Sequence, residues 1–81
     1  MNLLIIDDER TILKTVYSQL MKMGLRMERI DIANSAEEAR EWMERYCYDI
    51  FLCDIVMPGE DGLSFAKWVL ERYPEAKIIF L

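Results

Sequence analysis

The chain has 81 residues, of which 53% are hydrophobic and 31% are charged, and its formal net charge is -5 at pH 7. This composition is typical of one small folded domain and excludes a disordered or collagen-like chain. The excess of acidic side chains predicts no contact with nucleic acid. The apolar runs are far shorter than the ~20 residues that a membrane span needs.

Cysteine and histidine usage narrows the possible metal chemistry. The chain has no histidine and two cysteines, Cys47 and Cys53, which are too few for a disulfide framework and match no zinc-binding spacing. Zinc sites and nitrogen-ligated metal sites are therefore excluded. The residues after Met1 contain no basic segment and no small-residue cleavage site of a signal peptide, so we expect a cytoplasmic protein.

The first predicted elements are a buried strand and a helix. Residues 2–6 form a continuous apolar run that stops at Asp7 and Asp8, which is typical of a parallel strand buried on both faces. Over residues 9–23 apolar side chains recur with a helical period, and Gly24 then supplies a C-terminal stop. The predicted apolar face of this helix comprises Ile12, Leu13, Val16, Tyr17, Leu20 and Met21.

A second strand and helix follow. Residues 29–33 alternate between polar and apolar side chains, as expected of a half-buried strand near a sheet edge. Ser35 and Glu38 have the spacing of a capping box, in which the serine caps the first helical turn and the glutamate returns the hydrogen bond. The second helix is therefore predicted to run to about Tyr46.

A third strand, a third helix and a fourth strand complete the pattern. Residues 50–53 are apolar and end at Asp54, and residues 57–62 are rich in turn formers. Residues 63–73 again show a helical period, closed by Pro74. The predicted apolar face of the third helix comprises Leu63, Ala66, Val69 and Leu70. The fourth strand is predicted over residues 77–81.

The alternation of strands and helices predicts an α/β fold, a doubly wound parallel sheet with helices on both faces. The last four residues, 78–81, are all apolar, whereas natural chain termini are usually polar and frayed. We therefore expect the 81 residues to be the N-terminal part of a longer domain.

Carboxylates follow two of the predicted buried strands. Ligands of such sheets bind at the carboxyl ends of the strands, and there Asp7 and Asp8 are expected about 5 to 9 Å from Asp54 if the first and third strands are neighbours. Two such charges ~4 Å apart repel by roughly 4 kcal/mol. A divalent ion that prefers oxygen ligands relieves this repulsion, and Mg²⁺ fits best. Taken singly, Asp8 is equally well explained as a helix N-cap and Asp54 as a turn residue.

With these residues in view, the chain resembles the receiver domain of bacterial two-component response regulators. The resemblance covers all 81 residues, as one truncated receiver domain (residues 1–81). It rests on three segments: Ile5-Ile6-Asp7-Asp8-Glu9, Asp49-Ile50-Phe51-Leu52-Cys53-Asp54 and Met57-Pro58-Gly59-Glu60-Asp61-Gly62. The resemblance implies a flavodoxin-like fold that is incomplete here, with sheet order 2-1-3-4.

The resemblance also implies the roles of the site residues. Asp54 would be the phosphoacceptor, with the phosphoryl group coming from a sensor histidine kinase. Asp8 and Asp54 would ligate Mg²⁺ directly, Asp7 would act mainly through water, and the backbone carbonyl of Val56 would be a further ligand. The chain would thus be a regulatory domain and not an enzyme.

This chain departs from the family pattern in what it lacks. The pattern requires a Ser or Thr after the fourth strand and a Lys on a fifth strand, and Leu81 precedes both. The resemblance therefore implies a switch-defective fragment, in which phosphorylation is not relayed in the normal way and which a small phosphodonor phosphorylates slowly or undetectably. It also implies an unpaired fourth strand, from which we expect self-association through that edge.

Two rival functions remain open from the sequence. A phosphotransferase of the dehalogenase type also uses a strand-end Asp nucleophile with Mg²⁺. It needs a second Asp two residues later, where this chain has Val56. A receiver-like scaffold that is never phosphorylated would not need Asp7, Asp8 and Asp54, all of which are present.

Overall fold

The computed structural model describes residues 1–7, 9–24, 27–57 and 59–81, with only the backbone of residues 10–12. Its elements alternate between strand and helix as predicted, and every boundary lies within a residue or two of the expected one. They are β1 (Asn2–Ile6), α1 (Arg10–Lys22), β2 (Arg29–Ala33), α2 (Ala36–Arg45), β3 (Ile50–Cys53), α3 (Gly62–Arg72) and β4 (Lys77–Phe80).

In the described part of the chain, the strands form one parallel sheet with the order β2-β1-β3-β4. This confirms the predicted α/β class and the 2-1-3-4 order. The last residue of β1, Ile6, pairs with Ala33 on one side and with Cys53 on the other. The three strands therefore end level with one another, so the residues that follow them lie along one edge of the sheet.

Alternate residues of the central strands enter two separate cores. Leu4 and Ile6 belong to a core with α2 and α3, while Leu3 and Ile5 belong to a core with Leu13 of α1. This alternation follows from the two-residue period of a strand. Helices therefore cover both faces of the sheet, as a doubly wound fold requires.

Side-chain caps start two of the helices. The Ser35 hydroxyl accepts a hydrogen bond from the Glu38 amide at 3.1 Å, while the Glu38 carboxylate accepts one from the Asn34 amide at 3.2 Å. The predicted capping residues are thus confirmed, although the return bond reaches the residue before the cap. At the start of α3, the Asp61 carboxylate accepts a hydrogen bond from the Ser64 amide at 2.7 Å.

Two predicted apolar faces were partly wrong. Tyr17 and Met21 of α1 are exposed, as are Leu63 and Leu70 of α3. The predicted Ala66 and Val69 are buried, and Gly62 and Phe65 complete the buried face of α3 in place of the two leucines. An apolar stripe fixes only the approximate side of a helix that faces the core, so residues at its margins remain in solvent. The side chain of Ile12, also predicted on the α1 face, lies outside the described residues.

The two outer strands of the sheet are protected to different degrees. On β2, the Asp31 carboxylate accepts hydrogen bonds from the Tyr48 hydroxyl and from Arg29 Nε, the latter at 2.6 Å. The Arg29 guanidinium lies 3.4 Å from the ring centroid of Tyr46, and burial raises the pKa of Tyr48. On β4, by contrast, Ile79 is 53% exposed.

No helix in the described ranges is both long enough and apolar enough to cross a membrane.

Candidate functional site

Asp7 and Asp54 lie next to each other at the carboxyl edge of the sheet. They follow the paired strand ends Ile6 and Cys53, and the Asp54 amide donates a hydrogen bond to the Ile6 carbonyl at 2.9 Å. Neighbouring strands are about 4.8 Å apart. The structure thus brings together two of the predicted carboxylates. Asp8 lies outside the described residues.

Asp7 is buried, with 1% of its surface exposed. Its Oδ1 accepts a hydrogen bond from the Glu9 amide at 2.9 Å, and its own amide donates to the Ala33 carbonyl at 3.1 Å. The residue that flanks the start of α1 is Glu9, which makes no side-chain cap hydrogen bond. The N-cap position of α1, offered above as an alternative role for Asp8, is thus occupied by Glu9.

Asp54 is only half-buried, so its carboxylate reaches solvent. Its Oδ1 accepts a hydrogen bond from the Val56 amide at 3.2 Å, an arrangement that Asp side chains often make in turns. The Val56 side chain is 78% exposed. One oxygen of the Asp54 carboxylate is therefore held by the turn.

The negative charges at this edge affect the pKa of the buried Cys53 thiol. Burial of the thiol raises its pKa to about 11, with further contributions from the negative charges of Asp54 and Asp7. Both carboxylates therefore act on the same buried sulfur. The Cys53 thiol stays protonated at neutral pH, which makes it a poor nucleophile.

Gly62 packs directly against the backbone that carries Asp54. A Cβ at this position would lie 2.0 Å from the Asp54 carbonyl oxygen and 2.9 Å from Ile55 Cα. The Gly62 amide donates a hydrogen bond to the Ile55 carbonyl at 2.7 Å. Sequence reasoning gave Gly62 a place only at the start of the helix. Its close approach to the strand end is what fixes α3 beside Asp54.

The segment between β3 and α3, residues 54–61, is called here the β3–α3 loop. Met57 anchors it in the core, and Glu60 forms an ion pair with Arg40 of α2. Neither residue of this ion pair was singled out from the sequence, because nothing local links positions twenty residues apart. Pro58, one of the predicted turn formers in this loop, lies outside the described residues.

The donors at this edge suit a hard cation. Within the described ranges, no group of three or more His, Cys, Asp or Glu side chains is positioned to hold a metal ion. Those ranges include the Asp7 and Asp54 carboxylates and the Val56 carbonyl but not Asp8. Oxygen atoms of these kinds are the ligands that Mg²⁺ prefers, and it needs only one or two carboxylates. The residues present therefore fit Mg²⁺.

Known proteins with similar sequences are regulators. The chain is 35% identical over 81 residues to the transcriptional regulatory protein DltR of Streptococcus agalactiae, covering 100% of the chain and 35% of DltR. The chain thus spans about a third of the length of that relative.

Solved structures show the same fold. A two-component transcriptional regulator from Clostridium phytofermentans superposes with a TM-score of 0.91 at 26% identity, over 99% of this chain and 62% of that one. The response regulator TrrA of Thermotoga maritima, solved in complex with Mg²⁺-BeF, has a TM-score of 0.85 at 34% identity, over 98% and 66%. TrrA has also been solved in complex with the histidine kinase ThkA.

The family comparison agrees with the sheet topology. The response regulator receiver domain family matches residues 3–81. This chain therefore belongs to the response regulator receiver domain family.

Proposed function

We propose that this chain accepts a phosphoryl group on Asp54 from a sensor histidine kinase, in a reaction that requires Mg²⁺. The observation that carries the proposal is the level ending of β1 and β3, which sets Asp7 beside an Asp54 carboxylate that is open to solvent. A nucleophile must be accessible, whereas a carboxylate that only orients water can be buried.

The proposed step is an in-line displacement at phosphorus. A bond forms between an Oδ of Asp54 and the phosphorus atom, and the bond from phosphorus to the kinase's histidine nitrogen breaks. The electron pair of the broken bond returns to the imidazole. The Val56 amide, which holds Asp54 Oδ1, orients the carboxylate for this attack.

The residues proposed to hold Mg²⁺ are Asp8, Asp54 and the backbone carbonyl of Val56, with Asp7 acting through water. The ion supplies positive charge that offsets the carboxylates and the phosphoryl oxygens. The nearby buried Asp7 adds to the negative potential that favours a cation here. Support comes from TrrA, which is described in complex with Mg²⁺-BeF.

The proposed partner is a sensor histidine kinase. TrrA, at 34% identity, is described in complex with the histidine kinase ThkA. The chain's net charge of -5 argues against a nucleic-acid ligand for these 81 residues. We place the protein in the cytoplasm, where such kinases act on their receivers.

Mg²⁺ titration tests the metal part of this proposal. We expect the wild-type chain to bind Mg²⁺ weakly, and we expect Asp54→Ala and Asp8→Ala to bind it at least about tenfold more weakly, because each removes a ligand. Asp49→Ala is the matched control, because Asp49 lies at the opposite end of β3 and accepts a hydrogen bond from the Asn2 amide. Tryptophan fluorescence follows the titration. Equal Mg²⁺ affinity in the wild type and in both site variants would contradict the assignment.

A polypeptide of these 81 residues is proposed to receive the phosphoryl group slowly and to relay it poorly. The family pattern provides a lysine on a fifth strand to stabilise the transferred group, whereas the last strand among the described residues is β4. Loss of one preorganised charge typically lowers a rate by about 10²- to 10³-fold. Incorporation is therefore expected over hours.

The same polypeptide is proposed to self-associate through β4. Among the described strands, β4 pairs only with β3, and it leaves Ile79, Phe80 and Leu81 at least 40% exposed. After Lys77, residues 78–81 carry no charge or proline, and such an edge favours pairing with another chain. Sedimentation at micromolar concentration is expected to show a dimer or larger species. Introducing a charge with Ile79→Lys should restore the monomer, and a wild-type chain that is already monomeric would contradict the proposal.

A further inference from the structure

An ion pair ties the β3–α3 loop to α2. Arg40 Nη1 and Nη2 donate to Glu60 Oε1 and Oε2 at 2.8 and 2.7 Å, respectively. The pair is two-pronged, and the side chains are 30% and 34% exposed. Bidentate pairs of this kind fix geometry better than single contacts between flexible side chains.

Arg40 is itself held by the aromatic side chains of α3. Its guanidinium carbon lies 4.5 Å from the ring centroid of Trp68 and 5.3 Å from that of Phe65. These two rings are stacked with centroids 6.0 Å apart. Stacking restricts the arginine before it meets the carboxylate, so less conformational entropy is lost in forming the pair. Arg40 therefore connects α2, α3 and the loop.

Among its described residues, the loop is held by the buried Met57 side chain and by two hydrogen bonds. Asp54 accepts one from the Val56 amide, and the Ile55 carbonyl accepts one from Gly62, the first residue of α3. Ile55 and Val56 themselves are exposed. Glu60 thus provides a link from this segment to the helical layer, six residues after Asp54.

We propose that Arg40 and Glu60 are positioning residues that brace the β3–α3 loop and thereby set the affinity of the site for Mg²⁺. The loop connects Glu60 to the metal site, because it carries the Val56 carbonyl, which is a proposed ligand. It also carries the Val56 amide, which orients Asp54. This inference rests on the proposed function. The bracing itself is a property of the loop and is measurable without metal.

Three variants isolate the pair. Arg40→Met keeps an apolar side chain over Trp68 but removes the charge, Glu60→Gln keeps the shape of the carboxylate, and the double variant removes both charges. The control is Arg72→Met, since Arg72 also lies over the Trp68 ring, at 4.1 Å, but donates to a carbonyl of its own helix.

Two readouts decide the inference. Calorimetric titration is used for Mg²⁺, because loss of Arg40 alters Trp68 fluorescence directly. We expect about three- to tenfold weaker binding in each single variant and no further loss in the double variant, because each charge acts through the other. Arg72→Met is expected to change the affinity less than about twofold.

Amide hydrogen exchange, measured without metal, is the second readout. The Val56 and Gly62 amides are expected to exchange about three- to tenfold faster in Arg40→Met and in Glu60→Gln. The Glu38 amide, which donates to the Ser35 cap of α2, is the internal reference and should be unchanged. Faster exchange at all three amides would mean general loosening and would overturn the proposal.

Unchanged exchange at Val56 and Gly62 would overturn the bracing role, and so would single-variant effects that simply add in the double variant. Unchanged Mg²⁺ affinity beside faster loop exchange would overturn the metal half. A wild-type chain that binds no Mg²⁺ would overturn the proposed function instead, and the exchange rates would still decide whether the pair braces the loop. Glu60→Gln, a loop substitution of equal size, keeps the test open if Arg40→Met fails to fold.

Discussion

Asp54→Asn is expected to abolish phosphoryl incorporation into the chain. The amide has the size of the carboxylate and can keep the hydrogen bond from the Val56 amide to Oδ1. It lacks the negative oxygen that is proposed to attack phosphorus, so loss of labelling would separate the chemistry from the fold. Asp7 is not expected to substitute, because its carboxylate is buried against the Glu9 amide.

Labelling is measured with a radioactive phosphodonor and Mg²⁺ over several hours. Asp49→Asn is the matched control, the same change at the far end of β3, and it should label like the wild type. The wild-type label should be released by hydroxylamine, as expected of an acyl phosphate. Once the wild type is measurably labelled, labelling of Asp54→Asn to the same extent would refute the assignment of the phosphoacceptor.

Gly62→Ala is expected to destabilise the fold by at least about 3 kcal/mol, because overpacking against backbone is among the most costly substitutions. Its Cβ would meet the Asp54 carbonyl oxygen at 2.0 Å and the Ile55 Cα at 2.9 Å. These are backbone atoms, which cannot rotate away as a side chain would. Either α3 or the end of β3 must therefore move, and both carry the site.

Urea unfolding of Gly62→Ala and of Gly24→Ala makes the comparison. Gly24 has a φ of 69°, but a Cβ there would find nothing within 4 Å, so its cost is only the backbone penalty of about 1 to 2 kcal/mol. Phosphoryl incorporation should fall in Gly62→Ala and persist in Gly24→Ala under conditions where each is folded. Similar stability losses at the two glycines would show that the contact at Gly62 is not limiting.

Local patterns were sufficient for the strands and helices. The continuous apolar runs of β1 and β3, the alternation in β2 and the Ser35 cap each depend on neighbours in sequence, and each appears in the structure as expected. The order of the strands depends on contacts between distant segments. That order came from the family resemblance and not from periodicity.

The wrong predictions concern features that depend on packing between segments distant in sequence. Leu63 and Leu70 satisfy the helical period as well as Phe65 does, yet Phe65 is buried and the two leucines are exposed. The rotation of α3 follows from where Gly62 meets the Asp54 backbone, which no periodicity describes. The Arg40–Glu60 pair escaped prediction for the same reason. The placement of Asp7 beside Asp54 was predictable because both directly follow buried strands.

The two outer strands of the sheet, β2 and β4, differ in how readily another strand could pair with them. Asp31, an inward-pointing acid on β2 held by Arg29 and Tyr48, blocks addition of a strand on that side. β4 has no inward-pointing acid of this kind. If a sheet can extend at only one edge, edge pairing ends after one event. Two open edges would instead support an endless fibre. If a second copy pairs through its own β4, the outer strands of the joined sheet are the two β2 strands, so edge pairing alone is expected to end at a dimer.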